Sequence, residues 1–364
     1  MGTKLPPGVI LDCGSGSCKA GIAGDEEPRV NVSTVVGRNE KQQNELERKK
    51  HYIGKEAQNL RDLLSLSYPI QRGKIINFDD MEKIYHNILY EELQIDTTEY
   101  AIIHTETALL SSEERMRIIE CIIETLQPLG FYLVPKATAS MYASGRTTAS
   151  VFQSGHSVST CTPIYEGYCL PHLTCRDKVV AGEEITNLLA KLLAEKDPSL
   201  AGLDYDIVND IKEKVCRVAL DYEAEVKKDT TVKYTLPDGK EIEIGNERFT
   251  CTEALFQSNG DKQCLAKTIY NCIVGDHEFR DYCGNMLIGG GNTLLPGLAE
   301  RLQAEMQKLI PSTMRSKVIA PPGRGFSSFV GASILGSLSS FNQMLISLED
   351  YEEFGPRLVN TRCF

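Results

Sequence analysis

The chain has 364 residues, 41% hydrophobic and 24% charged, with 50 acidic against 39 basic side chains and a net charge of −11. That length suffices for two domains around their own cores, and the composition is that of an ordinary soluble globular protein. The acidic balance argues against a nucleic-acid partner bound directly through a basic face, Arg48-Lys49-Lys50 being the one cation cluster of note, and no apolar run approaches the ~18 residues of a membrane span.

In chain order, the first elements read as strand, turn, strand. Gly8-Val9-Ile10-Leu11 is β-rich, Gly14-Ser15-Gly16 forms a turn, and residues 18–23 return. Segment 39–50 is polar, dense in charge and without apolar periodicity, which predicts a mobile surface loop. The opening pattern recurs after Ala149, as Ser150-Val151-Phe152, a turn over 153–157 and a strand over 158–163. Gly14 and Gly155 lie 141 residues apart, and two glycine-bearing hairpins that each open a mixed region suggest a duplicated α/β architecture.

A helix is expected over 182–195, with Ile185, Leu188, Leu189, Leu192 and Leu193 on one face. Ile207, Ile211, Val215, Val218 and Tyr222 repeat that spacing on the next helix. Residues 232–247 hold two strands around a Pro237-Asp238-Gly239 turn, a hairpin signal. After Gly289-Gly290-Gly291-Asn292-Thr293, residues 298–309 read as a helix with Leu302, Met306 and Leu309 inward. The twelve cysteines include no CxxC spacing, and no apolar leader precedes the first strand. Dispersed free thiols suit a reducing compartment, the cytosol, with the nucleus also open.

The stretch Leu11-Asp12-Cys13-Gly14-Ser15-Gly16-Ser17-Cys18-Lys19-Ala20-Gly21 resembles the phosphate hairpin of actins. Further blocks follow in the family's order: Tyr68-Pro69-Ile70, Asp79-Asp80-Met81-Glu82-Lys83-Ile84, Tyr142-Ala143-Ser144-Gly145-Arg146-Thr147-Thr148 and Pro163-Ile164-Tyr165-Glu166-Gly167-Tyr168. Asp210-Ile211-Lys212-Glu213-Lys214, Leu236-Pro237-Asp238-Gly239, Ile244-Gly245-Asn246-Glu247-Arg248-Phe249, Ile319-Ala320-Pro321-Pro322 and the closing Arg362-Cys363-Phe364 complete the series. The resemblance, to the actin superfamily including its actin-related members, implies an α/β, actin-like duplicated two-domain fold with ribonuclease-H-like halves and a central nucleotide cleft. The first large domain is expected over 1–136 plus 329–364, with a small insertion near 33–69. The second is expected over 137–328, with an insertion near 182–255.

The same resemblance implies ATP or ADP at the base of that cleft, with Mg or Ca. Gly14, Ser15, Gly16 and Lys19 match the first phosphate hairpin, whose backbone N–H groups and lysine face phosphate, and Asp12 matches the carboxylate that holds the cation's water shell. Cys13 stands where actins carry a small polar residue. In the second hairpin, Gln153-Ser154-Gly155-His156-Ser157, only Ser154 and Gly155 keep the pattern. Gln153 replaces an acid that orders the cation's hydration, His156 a second acid, and Ser157 a glycine.

Two positions bear on hydrolysis. Lys136 stands where actins place the glutamine that orients attacking water, and Thr160 replaces a histidine of the same water network. An ionised lysine donates but cannot accept a hydrogen bond from water. Either Lys136 meets the γ-phosphate as a fixed cation or it forms a salt bridge on the cleft floor. On the adenosine side Gly182, Lys212, Glu213, Gly290, Gly291, Asn292 and Thr293 match, while Leu295 replaces an aromatic and Gly323-Arg324-Gly325 lacks a lysine used against the base.

The loop by which actins insert into a neighbouring subunit corresponds to residues 39–53, here shorter and nearly all polar, with Leu46 the single aliphatic at its tip. Apolar burial contributes roughly 25 cal/mol per Å², so this exchange removes much of a filament contact. Ser258-Asn259-Gly260-Asp261-Lys262-Gln263 likewise replaces an apolar plug. The partner-binding cleft persists in outline at Tyr142, Thr147, Ile334, Leu335, Leu338 and Met344, the family's site for actin-binding proteins. The leading expectation is a structural or interaction subunit of the cytoskeleton, with weakened nucleotide binding and little ATP hydrolysis. The alternatives are a polymerising actin with slow ATPase, a scaffold subunit of a chromatin-remodeller-like or dynactin-like assembly, and a kinase of the same superfamily.

Overall fold

The structure, a computed structural model, describes residues 8–39, 51–228 and 230–363. The expected 39–50 loop therefore lies, except for Asn39, outside the described residues. The chain forms two units that part between Thr147 and Thr148 and between Gly325 and Phe326, with Gly167–Cys169 counted in the first. These divisions differ from the expected 136/137 and 328/329. The reason is a helix pair: Lys136–Ala143 packs on Ser327–Ser337 within the first unit. A Cβ added at Gly331 would fall 1.6 Å from the Ala139 carbonyl oxygen, so glycine alone lets these backbones touch.

The first unit is built on a six-stranded sheet in the order Ile346–Ser347, Gly130–Pro135, Ala101–Glu106, Gly8–Cys13, Ser17–Ile22, Val30–Ser33. Val9, Ile10 and Leu11 are all fully buried. Such an unbroken apolar run, without alternation, is what a strand covered on both faces requires. Gly8–Cys13 runs antiparallel to Ser17–Ile22 and parallel to Ala101–Glu106, which in turn runs parallel to Gly130–Pro135. The parallel step from 101–106 to 130–135 needs a crossover, and the helix Ser112–Leu126 supplies it. It starts on a capping box: Ser111 Oγ accepts from the Glu114 amide at 3.2 Å, and the Glu114 carboxylate accepts from the Ser111 amide at 2.7 Å.

The small insertion forms a three-stranded sheet of Tyr52–Ile53, Val36–Arg38 and Ser65–Ser67. Asp80, wholly buried on the helix Phe78–His86, anchors it. Its carboxylate accepts from the Arg38 guanidinium, Ser67 Oγ (2.7 Å), Asn77 Nδ2 (2.8 Å) and Lys83 Nζ (3.2 Å). Burial alone raises a carboxyl pKa, but these donors hold Asp80 below the ordinary range.

The second unit repeats the opening arrangement. Ala149–Ser154 pairs antiparallel with Ser159–Tyr165 and parallel with Met286–Gly289, which pairs parallel with Val318–Ile319. The expected helix appears as Gly182–Lys196, with Ile185, Leu189 and Leu193 buried and Leu188 and Leu192 half-buried. Leu298–Leu309 is a helix as expected, burying Leu302 and Met306, and Val232–Thr235 pairs with Glu241–Ile244 as a hairpin.

One expected helix is shorter than its apolar spacing. The helix carrying Ile207 and Ile211 is Tyr205–Val215, and Val218 and Tyr222 lie beyond it. Backbone from Cys216 is extended, and the amides of Arg217 and Val218 donate to the carbonyls of Arg248 (3.3 Å) and Pro296 (2.8 Å). Val218 is still buried, so apolar spacing persists where the helix does not. Among the described residues no helix is long and apolar enough to cross a membrane, and all twelve cysteines are free thiols.

Candidate functional site

The residues singled out in the sequence gather at two places, one in each unit. In the first unit, Asp12 and Cys13 end the strand Gly8–Cys13, at the C-terminal edge where open α/β sheets place ligands. The turn that follows is closed by the Gly14 amide donating to the Ser17 carbonyl at 3.0 Å. Thr34 fixes it from outside, its Oγ1 donating to the Gly14 carbonyl (2.6 Å) and its amide to that of Gly16 (3.2 Å). Ser15 and Gly16 are half-buried at the tip, and Lys19 on the return strand donates to Ser17 Oγ at 3.2 Å.

Lys136 begins the helix that follows the strand Gly130–Pro135. Its ammonium lies 2.6 Å from Asp12 Oδ1 and donates to the Cys13 carbonyl at 2.8 Å. Thr105 Oγ1 donates to the same Oδ1 at 2.7 Å. Burial pushes the Asp12 carboxyl up, but the Lys136 and Lys19 charges and these hydrogen bonds overcome it and hold the group well below the usual carboxylate range. Asp12 is thus an ionised carboxylate that already has its cation. Of the two roles open to Lys136, the salt bridge is the one the structure displays. Thr105 was not read from the sequence, since only the parallel pairing of Ala101–Glu106 with Gly8–Cys13 brings it to Asp12.

The second unit holds a matching turn. The Gly155 amide donates to the Val158 carbonyl at 3.0 Å, the same four-residue closure as Gly14 to Ser17. Gln153 and Thr160 face each other across this hairpin as register partners. The start of the helix Gly182–Lys196 docks on the turn, the amides of Gly182 and Glu183 donating to the carbonyls of Gly155 (3.0 Å) and His156 (2.6 Å). Lys212 is nearly buried, its ammonium donating to the Gly182 carbonyl (3.2 Å), Thr186 Oγ1 (3.0 Å) and Asn209 Oδ1 (2.8 Å). Asn209 also donates to Glu213 at 2.8 Å.

His156 meets the ring of Tyr205 edge-on, with centroids 5.8 Å apart. Burial, and then the Lys212 charge, push its pKa down, so the ring is neutral at neutral pH. On the far side, Gly290 sits at φ 91°, and a Cβ there would lie 2.4 Å from the Ser154 carbonyl oxygen. Asn292 Nδ2 donates to Ser154 Oγ at 2.8 Å while its buried Oδ1 has no hydrogen-bond partner among the described residues. Thr293 closes on Gly290, its amide (3.0 Å) and Oγ1 (2.7 Å) donating to that carbonyl, and Gly291 begins the short 3-10 turn.

A protein-family model described as Actin matches residues 6–201 and 203–364. The chain belongs to the actin family. A divalent cation such as Mg or Ca, expected beside Asp12 through water, takes hard oxygen ligands. Here Asp12 Oδ1 and the Cys13 carbonyl are both occupied by an ammonium, and among the described residues no group of three or more His, Cys, Asp or Glu could hold a metal. The donor set of the first turn does not fit a divalent cation.

The second-unit loop fits a polar organic ligand better. Its unsatisfied Asn292 oxygen is a buried acceptor awaiting a donor, and Gly290 and Gly291 keep backbone free of side chains. Arg324 donates from Nη2 to the Thr293 carbonyl at 3.0 Å, so its guanidinium braces the loop.

The partner-binding residues divide. Ile334 and Leu338 are 42% and 45% exposed, one turn apart. Thr147 is exposed and Tyr142 and Met344 are half-buried. Leu335 does not belong with them: it is only 6% exposed and lies in the core of the first unit, because Ser327–Ser337 turns that side toward the sheet.

Proposed function

We propose that this actin-family chain is a structural or interaction subunit that holds ATP or ADP as a structural ligand and hydrolyses it little. The observation that carries the reading is the commitment of Lys136 to Asp12 and the Cys13 carbonyl. Hydrolysis of a phosphoanhydride needs a group that accepts a hydrogen bond from the attacking water. A paired ammonium is a donor only. Neutral Gln153 and Thr160, facing one another in the second unit, add no general base of suitable charge.

Gly14, Ser15, Gly16 and Lys19 are proposed to face the phosphates, and Gly182, Lys212, Glu213, Gly290, Gly291, Asn292 and Thr293 the adenosine side. Partners of the actin or actin-binding kind are proposed to meet the exposed apolar pair Ile334 and Leu338, an i, i+4 spacing suited to an amphipathic helix. A cytoplasmic, cytoskeletal place, with the nucleus open, follows from that role.

The test is extraction and chromatography of the nucleotide from native protein, alongside phosphate release and pelleting. Bound ATP or ADP with negligible phosphate release and no pellet supports the proposal. Turnover matching that of a filament-forming actin overturns the loss of hydrolysis. Pelleting at low micromolar concentration overturns the subunit role in favour of a polymerising, slowly hydrolysing actin.

A further inference from the structure

We propose that Lys136 is a built-in counterion that takes the place of a divalent metal at the first hairpin, so that this protein holds its nucleotide polyphosphate without a divalent cation. The inference rests on the nucleotide reading above and extends it to the cofactor.

The argument starts from the oxygens. The end of the strand Gly8–Cys13 presents a carboxylate oxygen and a backbone carbonyl oxygen side by side, Asp12 Oδ1 and the Cys13 oxygen, the kind of hard-oxygen pair a divalent cation uses. Lys136 Nζ spans both, at 2.6 and 2.8 Å. Thr105 Oγ1, at 2.7 Å from the same Oδ1, takes a further acceptor site of that atom. The pair is sheltered, with side-chain exposures of 17% for Lys136 and 6% for Asp12, so water screens it weakly. A metal entering this place must first evict the ammonium.

Eviction is opposed by the fold. Lys136 is the first residue of a helix that begins directly after a central strand. That helix is pressed on Ser327–Ser337 where Gly331 meets the Ala139 carbonyl, with no room even for a methyl group. Ser328 Oγ, on the opposing helix, also donates to the Lys136 carbonyl at 3.4 Å. The backbone behind the ammonium is therefore fixed, and the side chain reaches its two oxygens from a rigid base. The charge count fits the role. Two cations, Lys19 and Lys136, face one carboxylate, which leaves net positive charge beside a glycine turn suited to phosphate.

The test uses full-length protein, with Mn²⁺ as the metal probe read by electron paramagnetic resonance and ATP binding measured with and without a chelator. Wild type is expected to bind no stoichiometric Mn²⁺, with or without ATP, and to hold ATP equally well in the chelator. Lys136→Gln, which removes the ammonium from Asp12 Oδ1 and the Cys13 carbonyl, is expected to acquire a Mn²⁺ site and an ATP affinity that the chelator weakens by about tenfold or more. Lys136→Arg keeps the cation and is expected to exclude Mn²⁺ as wild type does.

Stoichiometric Mn²⁺ in the wild type, or release of its ATP by chelator, overturns the proposal. So does a folded Lys136→Gln protein that binds no Mn²⁺. Should wild type bind no ATP at all, the nucleotide reading fails separately, and the Mn²⁺ titrations of the wild-type and substituted proteins still decide whether Lys136 occupies a metal's place.

Discussion

His104 lies on the strand Ala101–Glu106, only 3% exposed. Its Nε2 is 3.0 Å from the Tyr85 hydroxyl, and its Nδ1 has no hydrogen-bond partner among the described residues. Burial first, and then the nearby Lys136 ammonium, push the imidazole pKa down from 6.5 to about 4, with the Asp12 carboxylate pulling weakly the other way. The folded protein therefore takes up this proton at lower pH than the unfolded chain does. The stability carried by the neutral ring is complete above pH 6.5 and is lost as pH falls from 6.5 toward 4. Between pH 7 and pH 5 the loss from this one group is about 2 kcal/mol.

The assay is urea unfolding of wild type and His104→Gln at a series of pH values from neutral to mildly acidic, followed by circular dichroism. Glutamine keeps a polar partner for the Tyr85 hydroxyl but does not titrate. The carboxylates Asp12, Asp80 and Glu106 are common to both proteins, so the difference between the two isolates the imidazole. Wild type is expected to lose about 2 kcal/mol more than the variant over that interval, seen as a steeper fall in its urea midpoint. Parallel loss of stability in the two proteins would show that the ring is not held neutral by burial, and the reasoning would fail.

Two further predictions rest on packing. Gly331→Ala sets a methyl group against the Ala139 carbonyl, so the helix pair must separate, at a cost on the order of 3 kcal/mol; an unchanged melting temperature refutes the close approach. Arg115 pairs with buried Glu106 through Nε at 2.9 Å and donates from Nη2 to the Cys363 carbonyl. Arg115→Ala leaves that carboxylate unpaired, costing roughly 3–5 kcal/mol, and releases the C-terminal segment. Alkylation of the Cys363 thiol, fully buried in the wild type, should then become fast; unchanged protection of that thiol speaks against the clamp.

Some of this protein was readable from its residues alone. The two hairpins, the helices 182–195 and 298–309 and the hairpin over 232–247 announce themselves through local turn chemistry and apolar period, both encoded within short windows. Family membership came from ordered blocks that run the length of the chain. Where apolar spacing outlasted its helix, at Val218, burial continued while the backbone hydrogen bonds of Arg217 and Val218 went to distant carbonyls, and no local pattern records such partners. Leu335 was placed in the exposed set because its neighbours suit it, and only the packing of its helix shows that it faces inward.

The chemistry at the first hairpin belongs to tertiary structure. Asp12, Thr105 and Lys136 are separated by 93 and 124 residues from the first to each of the others, and nothing in any one segment shows that the three meet. Parallel strand pairing puts Thr105 beside Asp12, and the strand-to-helix junction at Pro135 delivers Lys136 to them. Sequence alone left two roles open for Lys136. The fold supplied the distance, and electrostatics decides at short range: a carboxylate buried among apolar strands stays charged only with a cation against it.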